Sequence, residues 1–138
     1  MSPKPLKLVA KVVITDKKGR FLLLKRSMSS RNDPGEWDLP GGKIAAWENF
    51  DEGLIREVAE ETGVRISLGH AIGIAESESA SAKVVYLIFQ GIQDSGHVRL
   101  SSEHDDYIWA APSELQTLDL SKQFRPFLKT HFGDKSKA

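Results

Sequence analysis

Cysteine is absent from this chain of 138 residues, which removes disulfides, thiolate metal sites and cysteine nucleophiles together. The absence also suits a reducing compartment. Excess charge of either sign is missing as well, with 19 lysines and arginines against 19 aspartates and glutamates. A protein that grips extended nucleic acid carries a basic excess, so a polymeric nucleic-acid partner is not expected; a nucleotide-sized ligand stays open. Long apolar runs are lacking. The longest, Val84 to Phe89, is far too short to cross a bilayer. The opening MSPKPLKLVAKVVITD has neither the apolar core nor the cleavage site of a secretory signal. The expectation is a soluble cytoplasmic protein with no membrane partner. What is present, 40% hydrophobic and 28% charged residues, can fill one core. The length suits a single domain over residues 1–138, ordered from about 5 to 132.

Leu8 to Thr15 and Phe21 to Lys25 are apolar runs around Asp16-Lys17-Lys18-Gly19, which predicts a hairpin. Asp33-Pro34-Gly35 and Pro40-Gly41-Gly42 are turn signals on either side of Trp37 to Leu39. From Phe50 to Thr62 the period becomes helical, with Leu54, Ile55 and Val58 in one sector and Gly63 as C-cap. Gly53 is out of place there, costing about 1 kcal/mol against alanine in a helix interior. Val64 to Ala75, Val84 to Ile92 and Tyr107 to Ala110 read as strands, with polar Glu76 to Lys83 as a link. Pro112 to Leu115 suggests a helical turn. A last helix is predicted from Ser121, with Phe124 and Phe127 as core residues, and the tail GDKSKA as frayed. Strands before and after a central helix give an α+β fold class.

The central helix ends in REVAEETG, Arg56 to Gly63. Glu57, Glu60 and Glu61 fall within one sector roughly 100° wide. Like charges at these spacings repel, and a helix C-terminus disfavours negative charge. Arg56 reaches Glu60 at i+4 but leaves Glu57 and Glu61 uncompensated. A solvated acidic face is one reading. A site for a hard divalent cation, which takes oxygen ligands from carboxylates, water and phosphates, is the other.

Wider spacing separates the two. Gly42 to Val64 reads GKIAAWENFDEGLIREVAEETGV: glycine, five residues, glutamate, seven residues, then Arg-Glu-apolar-any-Glu-Glu-any-Gly-apolar. This resembles the signature of the Nudix hydrolases at every fixed position. At typical residue frequencies, coincidence is on the order of one in a billion per starting site. Trp37-Asp38-Leu39-Pro40-Gly41-Gly42 resembles the family's approach to its catalytic loop, and Glu103-His104-Asp105-Asp106 with Trp109 its late acidic segment. Trp47, Ala45 and Gly53 depart from common family usage, though none is a fixed position.

The resemblance implies a mixed sheet sandwiched between helices, and a Mg²⁺-dependent enzyme, with Mn²⁺ as an alternative ion, that cleaves a nucleoside diphosphate linked to another moiety. Glu57, Glu60 and Glu61, with the Gly41 carbonyl, are the implied metal ligands. Arg56 is implied to orient the glutamates, and Glu48 to steady them or reach a second metal. Glu103 is implied as a further ligand or general base, against a reading as a plain turn glutamate. Asp105 and Asp106 are alternatives to it, and Glu57 shares the candidacy for base. His97 and His104 read as surface histidines. Arg26, Arg31 and Lys43 are candidate phosphate contacts, against exposed loop charges. Trp37 is a candidate for stacking on a base, with a core role favoured.

Substrate marks conflict. Arg26-Ser27, Arg31, Gly35 and Pro40-Gly41-Gly42 partly resemble a coenzyme A pyrophosphatase pattern, from which Leu24 and Leu39 depart. The proline that often follows the signature in ADP-ribose pyrophosphatases is missing, since no proline occurs between Gly41 and Pro112, so the resemblance to that subfamily is weaker. A nucleoside triphosphate and a nucleotide sugar are nearly equal expectations. The cysteine-dependent isomerase branch is excluded, and a non-catalytic Nudix-like binding module is disfavoured because every signature glutamate is present. Many relatives are dimers, so a homodimer is admitted.

Overall fold

The computed structural model describes residues 4–132; the tail GDKSKA lies outside them. Strands β1 (Leu6–Thr15) and β2 (Phe21–Arg26) are followed by the two-residue strands β3 (Trp37–Asp38) and β4 (Gly41–Gly42). Then come helix α1 (Phe50–Thr62), β5 (Arg65–Glu78), β6 (Lys83–Ser95), β7 (His104–Ala110), a 3-10 turn at Pro112–Gln116, and α2 (Arg125–Phe132). The seven strands make one mixed sheet in the order β3-β2-β1-β6-β5, with β7 on β2 and β4 on β1. Only β1 and β6 run parallel among these pairs.

Both faces of the middle of the sheet are covered, which is why Val12 to Ile14 of β1 and Phe21 to Leu24 of β2 are consecutive buried apolar residues instead of alternating. Val13, Phe21, Leu23 and Ile88 pack with Leu120, Phe124 and Leu128 on the α2 side. Ala10, Val12, Ile14, Leu22 and Leu24 pack with Leu54 and Val58 of α1 on the other. This is the α+β sandwich expected from the resemblance. Helix α1 has the predicted bounds, and Gly63 caps it in the left-handed region at φ 76°, its N–H bonded to the Ala59 carbonyl.

Other boundaries move. The polar stretch Glu76 to Lys83 is mostly strand, because β5 and β6 stay paired to Glu78↔Lys83 and solvated strand positions tolerate polar side chains. The turn shrinks to Ser79–Ala82, closed by Ser79 N–H to the Ala82 carbonyl at 2.9 Å. The last helix proper starts at Arg125; Ser121 to Phe124 form the turn that feeds it. Pro126 falls in its first turn, where a missing N–H is tolerated. Phe124 is fully buried, and Phe127 packs partly buried against the same core. Strand β7 begins at His104, three residues earlier than expected, because pairing with β2 continues through Lys25↔Asp106 to Arg26↔His104 across a bulge. That extension carries the late acidic segment to the end of α1.

Candidate active site

Pro40-Gly41-Gly42 is not a simple turn. It lies along β1 as Lys11↔Gly41 and Ala10↔Gly42, with Val12 N–H bonded to the Pro40 carbonyl at 2.9 Å. A side chain is excluded at Gly41, whose φ is +130° and whose added Cβ would clash with the Ala10 carbonyl oxygen. At Gly42 a Cβ would stand 2.7 Å from Glu57 Oε1, so Glu57 lies directly against the loop. These glycines let the C-terminal half of α1 pack onto the sheet beside backbone.

Arg56 organises the acidic sector. Its Nε and Nη2 donate to the two oxygens of Glu48 at 2.6 and 2.7 Å, a bidentate fork of the kind guanidinium makes best. Its Nη1 reaches Glu60 at 2.8 Å and Glu57 at 3.4 Å. Glu48 also accepts the Ala45 N–H at 3.1 Å, and the Arg56 fork holds its carboxyl below the usual range. Glu61 stands outside this network. Its Oε1 accepts the Gly41 N–H at 2.9 Å. Burial pushes its carboxyl up to about 7, helped by the charges of Asp38 and Glu103 and opposed by Lys11 and the Gly41 amide.

The three helix glutamates therefore divide. Glu60 is exposed and tied to Arg56, Glu57 is half-buried against Gly42, and Glu61 points inward. The tightest cluster of donor atoms brings Glu61 together with Glu103 and His104, all within 4.8 Å of one another. Glu103 is exposed at the start of β7, and its carboxylate has no hydrogen-bond partner among the described residues. Asp105 and Asp106 are exposed and accept the backbone amides of Met28 and Tyr107 at 3.2 and 2.8 Å.

His104 overturns its expectation as a surface histidine: it is 7% exposed. His97 is exposed. Burial and the cations Lys11 and Arg26 keep the His104 imidazole below its ordinary titration range, opposed by Asp38 and Glu103. A histidine between acidic residues looks solvated in sequence; only the β2–β7 register turns it inward.

The candidate substrate contacts fall in different settings. Arg26 spends its guanidinium within the protein, on the Asn32 carbonyl at 2.7 Å, Asp38 at 3.0 Å and Ser30 Oγ at 2.8 Å, so it pins the 27–35 loop. Arg31 and Lys43 are exposed. Trp37 packs partly buried against the α2-side core, and its backbone bonds to both Asp119 and Ser121 at 2.8 Å. Lys11 and Asp38 were not singled out from sequence, yet both are buried. Lys11 Nζ donates to the Leu39 carbonyl at 3.0 Å and lies 3.4 Å from Asp38. A lone lysine in a β-branched strand gave the only hint. Beside this pair opens a cavity of about 440 Å³ lined by Lys7, Lys11, Arg26, Asp38, Tyr86 and Lys122 among others.

The donor set fits a divalent cation. Glu61 and Glu103 converge with His104, Glu57 lies beside them against Gly42, and Arg56 ties Glu48 and Glu60 at the edge; the Glu61 carboxyl is held up by burial and like charge, with Lys11 the cation opposing it. Acids of this type, backed by a loop of bare backbone and a polar cavity, suit chemistry on a polyphosphate.

Comparison with known proteins agrees. A model of the NUDIX domain matches residues 5–131. The nucleoside triphosphatase NudI of Klebsiella pneumoniae (strain 342) is 30% identical over 118 residues, covering 78% of this chain and 84% of that protein. NudI of Escherichia coli O139:H28 (strain E24377A / ETEC) is 30% identical over 122 residues, covering 80% and 86%. Among solved structures, the MutT protein of Methanosarcina mazei Go1 matches with a TM-score of 0.84 at 36% identity over 100% of both chains. The NUDIX domain of Shewanella oneidensis NrtR, crystallised with ADP ribose, shares the fold with a TM-score of 0.69 at 20% identity.

Fold, acidic pole and relatives define a hydrolase of phosphorus-containing acid anhydrides. The chain belongs to the Nudix family, whose members act on small nucleotide substrates and generally use a divalent metal. No helix among the described residues is long and apolar enough to cross a membrane.

Proposed function

We propose that the protein is a cytoplasmic pyrophosphohydrolase dependent on a divalent cation, Mg²⁺ or Mn²⁺, acting as one domain, with a nucleoside triphosphate as its substrate class. The observation that carries the reading is the acidic cluster itself: Glu57 and Glu61 beside the Gly41–Gly42 backbone, Glu60 and Glu48 held by Arg56, and Glu103 within reach of Glu61. The triphosphate choice is supported by the NudI relatives, named nucleoside triphosphatases.

Glu57, Glu60, Glu61 and the Gly41 carbonyl would hold the cation, with Glu48 and Glu103 close by. When bound, the ion would neutralise phosphate charge and make attacking water more acidic. Arg56 keeps the glutamates from splaying under their mutual repulsion. Glu103, exposed and without a hydrogen-bond partner among the described residues, and Glu57 are the two candidates to take a proton from water. The Lys11–Asp38 pair fixes the Leu39 carbonyl and so the loop that receives the polyphosphate. The neighbouring cavity of about 440 Å³ is in the range of nucleotide-sized sites.

The test is a panel of nucleoside and deoxynucleoside triphosphates, nucleotide sugars, ADP-ribose, dinucleoside polyphosphates and coenzyme A, with Mg²⁺ or Mn²⁺. Triphosphates should give the highest kcat/KM and release pyrophosphate. Faster turnover of a nucleotide sugar or coenzyme A would overturn the substrate class. No turnover of any member would favour a binding module.

A further inference from the structure

His104 does not fit a purely carboxylate site. Both of its ring nitrogens are buried without a hydrogen-bond partner among the described residues. A buried histidine normally has its ring nitrogens satisfied by protein or ordered water, and its tautomer fixed by those bonds. His104 is 7% exposed, and one of its ring nitrogens lies within 4.8 Å of carboxylate oxygens of both Glu61 and Glu103. The cations nearest to it are already engaged: Lys11 lies 3.4 Å and Arg26 3.0 Å from Asp38. Donors sharing one ion at bond lengths of about 2.1 Å stand no more than roughly 4.2 Å apart. A small turn of the exposed Glu103 side chain would close the set.

We propose that Glu61, Glu103 and His104 form a mixed nitrogen–oxygen site that selects a divalent first-row transition ion, such as Mn²⁺, over Mg²⁺. Imidazole nitrogen is a softer donor than carboxylate oxygen. It adds affinity for transition ions and little for Mg²⁺, which prefers oxygen and water. The backbone of His104 is fixed opposite Arg26 at the end of the β2–β7 ladder, which holds the residue on the inward face. The inference rests on the metal-dependent reading above and adds the identity of one ligand.

The experiment uses the full chain with substoichiometric Mn²⁺ and pulsed EPR, which detects ¹⁴N bound directly to the ion. Wild type should show an imidazole ¹⁴N coupling, and His104→Asn should lose it. By titration, the variant should bind Mn²⁺ at least about 10-fold more weakly, the lower end of what loss of even an outer-shell partner costs. Its Mg²⁺ affinity should change less. Mn²⁺ bound without ¹⁴N coupling in wild type, or with the coupling kept in His104→Asn, would overturn the inference and leave the hydrolase reading standing. The wild-type spectrum decides even if the variant folds poorly. Failure of wild type to bind either ion would overturn the metal-dependent reading along with it.

Discussion

Glu61 is held between two opposing demands. Its position near the Gly41 amide serves the site, but burial beside Asp38 and Glu103 makes its charge costly in the metal-free protein. The unfolded carboxyl titrates near 4.5 and the folded one near 7. The folded state therefore binds the proton first as pH falls. This group's contribution grows as pH drops from about 7 toward 4.5 and is lost above 7, on the order of 3 kcal/mol in full. In EDTA, Glu61→Gln should melt higher than wild type at pH 8, and the gap should close by pH 5. Thermal melts across that range check it; a gap independent of pH would contradict the assignment. His104, held below its ordinary range, acts with the opposite sign: its contribution is present above about 6.5 and lost at lower pH. Arg56 gives a second test. Lysine keeps the charge but cannot make the bidentate fork to Glu48, so Arg56→Lys should lower kcat/KM by about 10- to 100-fold with little change in melting temperature. Steady-state kinetics beside a melt reads both.

At the scale of elements, helix α1 explains its own irregularity. Gly53 weakens the helix by propensity, yet a Cβ there would meet Ile44 Cγ2 at 2.5 Å and Glu48 Oε1 at 3.1 Å. The glycine lets the loop that carries Glu48 lie against the helix that carries Arg56. Gly53→Ala should therefore destabilise by about 1 kcal/mol net, since overpacking of roughly 1–3 exceeds a propensity gain of about 1. It should also slow turnover by displacing Glu48. Denaturant melts decide the sign, and a stabilised variant would refute the packing argument. Strand β1 is divided in a different way. Val12 and Ile14 are completely buried under α1, whereas Leu6 and Leu8 are 62% and 61% exposed. The 13-residue helix is too short to cover the whole sheet. Leu8→Lys should change stability by no more than about 0.5 kcal/mol, while Leu54→Ala should cost about 2–5. Urea titration of the two variants compares them directly.

For the whole molecule, balanced charge and one acidic pole make divalent cation the natural stabiliser. An ion that binds only the folded state at about 100 times its dissociation constant adds about 2.7 kcal/mol. For a chain of this size that should raise the melting temperature by roughly 10 °C, reversibly with EDTA. Absence of any shift with Mg²⁺ or Mn²⁺ would remove the metal from the folded state. The sequence by itself determined the helix, its glycine cap, the α+β class and the glutamate spacing. Each of these is a local matter of period, capping or signature, and is written in consecutive residues. The two-residue strand at Gly41–Gly42, the inward turn of His104, the commitment of Arg26 to its own loop and the burial of Lys11 with Asp38 were decided only in three dimensions. These depend on register between strands far apart in the chain, where one residue's slip changes which face a side chain takes. REVAEETG supplied the carboxylates; the pairing of β2 with β7, and of β1 with the glycine loop, settled what they face.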